Sequence, residues 1–255
     1  MKNKVALVMG AGAGTGRATA LAFSRKGARV VVADINQKGA LKTLALIEES
    51  GGEGIACVAN MAVSEDIQRV MADCEQAFGA LHMVSNNAAQ APPNKPVTSL
   101  SEEEWDSCMG VTLKGVWLCM KHQLPLIESS GGGAIVNIAS VSGIRGEVFQ
   151  SAYAAAKGGV ITLTKAVAAE YARRGVRVNT VCPGGIDTPG MQFYLESMPE
   201  MREKTLNAHA MGRLAKPEEI ADAVVYLCSS EASFITGHDL VVDGGILVRS
   251  NVVEL

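Results

Sequence analysis

Apolar positions along this chain follow two alternating rhythms. Short continuous runs, Lys4–Met9, Arg29–Asp34, Gly54–Ala59, Leu81–Asn86, Ala134–Ser140, Val176–Val181 and Leu240–Asp243, read as strands. Between them apolar residues recur at helical spacing over Gly14–Gly27, Gln37–Ser50, Ser64–Phe78, Ser101–Ile127, Ser151–Arg174 and Pro217–Ser229. Ser101 with Glu104 is a capping box, and Pro217 sits at a helix's first turn with acids behind it. Strand runs apolar at every position are buried on both faces. The alternation therefore predicts α/β architecture: one doubly wound parallel sheet of about seven strands with helices on both faces. One segment, 187–212, breaks the rhythm. It is rich in Met and reads equally as a surface excursion or as a lid over a substrate site.

Composition narrows the class. The 255 residues are 48% apolar and 19% charged, enough for one domain over 1–255 with a well-buried core. Aromatics are 4%, so small and aliphatic side chains must fill it. A net charge of −3 gives no case for nucleic acid or an anionic membrane. No apolar run reaches membrane-spanning length, and Val5–Met9 is too short for a signal-peptide core. The six cysteines form no CxxC or zinc spacing, so the expectation is buried reduced thiols, no metal and a cytoplasmic protein.

Two constellations carry chemistry. Gly10-Ala11-Gly12-Ala13-Gly14-Thr15-Gly16 joins the first strand to the first helix. Glycines let the backbone approach a pyrophosphate, and the helix N-terminus offers N–H groups and partial positive charge. Asp34 ends the second strand, about twenty residues on, where a Rossmann-type fold places the acid that binds the adenosine ribose hydroxyls. A 2′-phosphate would meet that carboxylate, and neither Ala13, Ile35 nor Asn36 supplies a cation, so NAD is the expected cofactor. The second constellation is Tyr153 and Lys157, one helical turn apart, with Ser140 ahead of them at a strand end. An ammonium beside a phenol lowers its pKa, and the phenol then exchanges a proton with an alcohol or ketone.

Taken together, these motifs resemble the short-chain dehydrogenase/reductase (SDR) family over nearly the whole chain. Gly10–Gly16 is similar to its TGxxxGxG turn, with Met9 for Thr; Asn86-Asn87-Ala88-Ala89 is similar to NNAG, with Ala89 for Gly. Ser140, Tyr153 and Lys157 fall on the catalytic Ser and YxxxK, and Thr236-Gly237 and Asp243-Gly244-Gly245 on the C-terminal signature. The resemblance implies Tyr153 as acid/base, Lys157 on the nicotinamide ribose and Ser140 on the substrate oxygen. It puts Asn87 and Ala88 beside the adenosine ribose. Asn60, in place of a common Asp, and Met61 fall at the adenine. Pro183, Gly184, Ile186 and Thr188 clasp the nicotinamide end. Thr112 takes the place of a fourth catalytic residue, an Asn. Its hydroxyl is expected to bond back to the Cys108 carbonyl and bend the helix.

The implied activity is hydride transfer between NAD(H) and a secondary alcohol or ketone. The alternatives are an NADPH-dependent 3-ketoacyl-type reductase, opposed by Asp34, and a non-catalytic nucleotide-binding homologue, supported by Thr112 alone. Val, Ile, Phe, Met and Tyr in 90–97, 141–150 and 187–212 suggest a small to medium, largely apolar substrate, cyclic ones included, with one polar handle. A homotetramer on helices 101–127 and 151–174 is the expected assembly.

Overall fold

A computed structural model describes residues 1–249, so the end of the expected domain, 250–255, lies outside the described residues. Seven parallel strands, β1 (Val5–Met9), β2 (Arg29–Asp34), β3 (Gly54–Val58), β4 (Met83–Asn86), β5 (Gly133–Ile138), β6 (Val176–Pro183) and β7 (Asp239–Val242), stand in the order β3-β2-β1-β4-β5-β6-β7. The order reverses between β1 and β4, which pair directly from Ala6↔Met83 to Met9↔Asn86. A crevice opens at such a reversal beyond the strands' carboxyl ends.

The helices are α1 (Gly14–Arg25), α2 (Gln37–Glu49), α3 (Ser64–Phe78), α4 (Glu102–Met109), α5 (Gly115–Ser129), α6 (Ser142–Arg145), α7 (Ser151–Tyr171), α8 (Pro189–Ser197), α9 (Glu200–Asn207) and α10 (Pro217–Cys228). Side chains alternate across each strand. Val5, Leu7 and Met9 join one core with residues of α3, α5 and α7, while Ala6 and Val8 join another with residues of α1, α2 and α10. Ala18 and Ala22 of α1 and Ala221 of α10 keep the second layer thin. All six cysteines are buried and unpaired, as expected. Among the described residues no helix is long and apolar enough to cross a membrane.

One expectation needs correction. The single helix expected over 101–127 is broken: α4 passes into a π-helical stretch, Gly110–Lys114, before α5 resumes. The segment 187–212, left open as an excursion or a lid, carries α8 and α9. Thr188 caps α8 by accepting from the Met191 N–H at 3.3 Å, with Pro189 at the first position.

Candidate active site

A cleft of about 450 Å³ opens at the carboxyl ends of β1, β4, β5 and β6. Its floor is the β1–α1 turn. A Cβ on Gly16 would stand 1.9 Å from the Gly10 carbonyl oxygen, and one on Gly12 would meet the Asp34 carboxylate at 2.8 Å. Side chains are excluded there so that backbone, Asp34 and Asn87 can converge; Asn87 Nδ2 donates to the Gly10 carbonyl at 3.3 Å. The N-cap of α1 is Ala13, which has no side-chain acceptor, and no acid stands in the first turn. That end is left for an anion from outside the chain.

Asp34 borders the cleft and is held rigid. Its Oδ2 accepts from the Gly12 N–H at 2.7 Å and its Oδ1 from the Asn36 N–H at 2.8 Å. One cation escaped the sequence reading. Arg17 donates from Nε to Thr43 Oγ1 at 2.9 Å and from Nη2 to the Gly12 carbonyl. The glycine turn thus has a guanidinium beneath it, already engaged by neutral oxygens.

Ser140, Tyr153 and Lys157 meet on the opposite wall of the cleft. Ser140 follows β5. Its Oγ accepts from the Ser142 N–H at 3.1 Å and donates to Ser142 Oγ at 3.3 Å, which in turn donates to Glu147 Oε2 at 3.2 Å. Tyr153 and Lys157 project from the first turns of α7, whose Ala152 and Ala156 are fully buried against the cluster containing Cys108. Lys157 is 1% exposed and donates from Nζ to the Ile138 carbonyl at 2.5 Å.

The expected depression of the Tyr153 pKa is absent in the chain alone. Burial pushes the phenol up to about 12, and the Ser140 hydroxyl opposes this only in part. Burial likewise pulls the Lys157 ammonium down to about 8. The cause is geometric: Nζ is drawn to the Ile138 carbonyl and lies 5.6 Å from the Tyr153 ring centroid, over the ring. Both groups have lost water, and neither relieves the other.

The remaining expected residues divide. Gly10, Gly14, Thr15, Ala88, Pro183, Gly184, Ile186 and Thr188 line the cleft. Gly16 lies behind it as a packing requirement. Asn60 and Met61 are not among its lining residues. Asn60 Oδ1 accepts from the Ala62 N–H at 2.9 Å, so the oxygen offered to adenine already closes a turn. Met61 is buried beneath Gly115. Thr112 does not bond back to the Cys108 carbonyl. Its Oγ1 donates to the Gln90 carbonyl at 2.8 Å and accepts from the Gln90 N–H at 2.9 Å. The hydroxyl pins the loop after β4 to the π-helical stretch, because that stretch turns Thr112 toward the loop.

The family model described as "Enoyl-(Acyl carrier protein) reductase" matches residues 10–247. The chain belongs to the short-chain dehydrogenase/reductase family and is an oxidoreductase that uses a nicotinamide cofactor. It is 43% identical to cyclohexanol dehydrogenase of Acinetobacter sp. (strain SE19), over 95% of this chain and 94% of that one. It is 37% identical to 2,5-dichloro-2,5-cyclohexadiene-1,4-diol dehydrogenase of Sphingobium indicum, over 96% and 97%. The structure of 3-ketoacyl-(acyl-carrier-protein) reductase from Brucella melitensis, complexed with NADH, superposes with a TM-score of 0.89 at 32% identity, covering 97% of this chain and 99% of that one.

Proposed function

We propose that this chain is an NAD-dependent dehydrogenase of small, largely apolar cyclic secondary alcohols and the matching ketones. The observation that carries the reading is the convergence of Ser140, Tyr153 and Lys157 on a cleft whose far end is closed by Asp34. Asp34 supports NAD over NADP: a 2′-phosphate would meet a carboxylate fixed by two backbone N–H groups, while Arg17 is spent on Thr43 and Gly12. The ring-alcohol substrate is supported by the relatives that act on cyclohexanol and a cyclohexadienediol.

Bound NAD supplies the acceptor for a hydride leaving the carbinol carbon; the chain supplies the rest. Glycine backbone and the uncapped α1 terminus hold the pyrophosphate. Pro183, Gly184, Ile186 and Thr188 orient the nicotinamide end, and Asn87 and Ala88 border the ribose. Ser140 donates to the substrate oxygen when its hydrogen turns from Ser142. Tyr153 holds or releases the proton at its phenolic oxygen. The free chain keeps that phenol protonated, the form that serves ketone reduction. Oxidation needs the phenolate, and Lys157, with donors beyond the one given to Ile138, is the cation near enough to favour it. The 187–212 segment acts as the substrate lid, with Phe193 and Met198 exposed at its surface.

The test is a reduction screen with NAD and NADP over cyclic and acyclic secondary alcohols, using wild type and Tyr153→Phe. We expect a preference for NAD of tenfold or more and for ring alcohols, with kcat reduced about 10²–10⁴-fold in the variant. Equal use of both cofactors, or full turnover by Tyr153→Phe, sinks the assignment.

Assembly follows from one surface. A groove of about 800 Å³ between α4–α5 and α7 is lined by Met109, Leu113, Trp117 and Leu163. A second copy covers it in a homotetramer of the expected kind. Light scattering at micromolar concentration checks this, and a monomer there would refute it. A cytoplasmic site is kept as part of this reading.

A further inference from the structure

His209 takes no part in the chemistry above, yet it is 2% exposed and sits beside the cleft. Its ring fills a hole left by three glycines. A Cβ on Gly184 would stand 3.0 Å from Nε2, one on Gly185 3.0 Å from Cε1, and one on Gly244 3.6 Å from Cδ2. Both ring nitrogens are spoken for. Nδ1 lies 2.9 Å from the Thr205 carbonyl, which only accepts, so the ring proton belongs on Nδ1. Nε2 is left with its lone pair, and it accepts from the Gly185 N–H at 2.9 Å.

Three chain segments meet at this ring. Gly185 lies between Gly184 and Ile186, which line the cleft. Thr205 belongs to α9, in the 187–212 segment. The turn after β7 is tied in by Met211 N–H donating to the Gly244 carbonyl at 3.0 Å, and the His209 carbonyl accepts from Arg249 at 3.3 Å. Gly184 and Gly185 give the start of the loop no side chain of its own, whereas Ile186, next along, packs against the second core. The imidazole supplies that support from the far side.

We infer that His209 is a positioning residue: it couples α9 to the Pro183–Thr188 loop at Gly185 and thereby sets cofactor affinity. The inference rests on the reading of that loop as the nicotinamide clasp. Loosening α9 at His209 frees the Gly185 amide, and the clasp then loses its register with the cleft. The His209–Gly185 hydrogen bond joins α9 to the clasp, beside the Gln192–Asp187 bond and the backbone bonds of Ala215 with Gly185 and Asp187.

The experiment compares wild type with His209→Leu and His209→Gln. Leu keeps much of the volume and offers no acceptor. Gln extends an amide oxygen to the place of Nε2. Hydrogen exchange is followed over 183–188 in the cofactor-free protein, and NADH and NADPH affinities are measured by fluorescence titration. His209→Leu is expected to speed exchange at Gly185 and weaken the preferred cofactor roughly tenfold, the loss expected when a buried N–H is left unpaired. His209→Gln is expected to restore both to within about threefold, as a structural filler role would not. Should Leu fail to fold, His209→Asn, whose shorter amide reaches Thr205 but not Gly185, takes its place with the same expectation. Unchanged exchange overturns the coupling. Faster exchange with unchanged affinity overturns the link to the cofactor. A wild type that binds neither dinucleotide overturns the clasp reading itself, and the inference with it.

Discussion

The β1–α1 turn and the 187–212 segment face each other across one cleft and are built by opposite rules. In the turn, backbone, Asp34 and Asn87 interlock so closely that methyl groups on Gly12 or Gly16 would collide with them. The opposite segment carries two short helices with one buried apolar side chain between them, Leu195, and exposes Phe193 and Met198. A methyl on Gly190, in α8, would find only Thr188 Oγ1 nearby, at 4.0 Å. On the proposed reading, rigidity sits where the dinucleotide binds and latitude sits where substrates differ.

The sharpest way to break this contrast is the same substitution on both sides. Gly16→Ala drives a methyl into the Gly10 carbonyl and displaces Asn87. It should cost about 3 kcal/mol or more. For a chain of this size that lowers Tm by roughly 6–12 °C in calorimetry and abolishes dinucleotide binding. A folded, binding-competent Gly16→Ala protein would show that the turn has slack.

Lys157 tests whether the rigid side is tuned for stability or for chemistry. Its folded pKa of about 8 lies below the ordinary 10.5. Below pH 8 the folded state carries the full cost of a buried ammonium. Between pH 8 and 10.5 it sheds its proton before the unfolded chain does, so stability rises with pH. Lys157→Met should therefore stabilise the cofactor-free protein by on the order of 2 kcal/mol at pH 7. The gain should shrink toward pH 10 in denaturant titrations. Tyr153, raised to about 12, contributes stability that is lost only above pH 10, outside this window. A pH-independent difference would assign the effect to packing alone.

Gly190→Ala is the smallest of the three. Open space and a helical position predict a change within about 1 kcal/mol, of stabilising sign. Its effect should show in KM for the alcohol rather than in Tm. A melting temperature lowered as far as that of Gly16→Ala would erase the contrast.

Much of the fold was legible because a parallel sheet covered on both faces writes its strands as apolar runs such as RVVVAD. A bend at Thr112 was expected, but its π-helical form was not legible, because apolar positions continue through Gly110–Lys114 without a proline. Helices α8 and α9 hid for another reason. They bury little, so periodicity is weak, although Thr188-Pro189 is a start signal that was available. At the site, Asp34, Ser140, Tyr153 and Lys157 were found where their spacing placed them. Arg17 and His209 were missed. Arg17 acts through Gly12 and Thr43, and His209 through glycines brought from two distant segments, so neither leaves a local pattern.

The strand order also dictates how the chain comes together as it is made. β1, β2 and β3 pair with one another over Val5–Val58, so that half-sheet can form before β4 is made. The other edge of β1 then stays bare until β4 arrives at Met83, and every later strand adds outward from there. An emerging chain thus displays an apolar strand edge throughout the synthesis of α3, and it is in this interval that nascent chains are open to mispairing with one another.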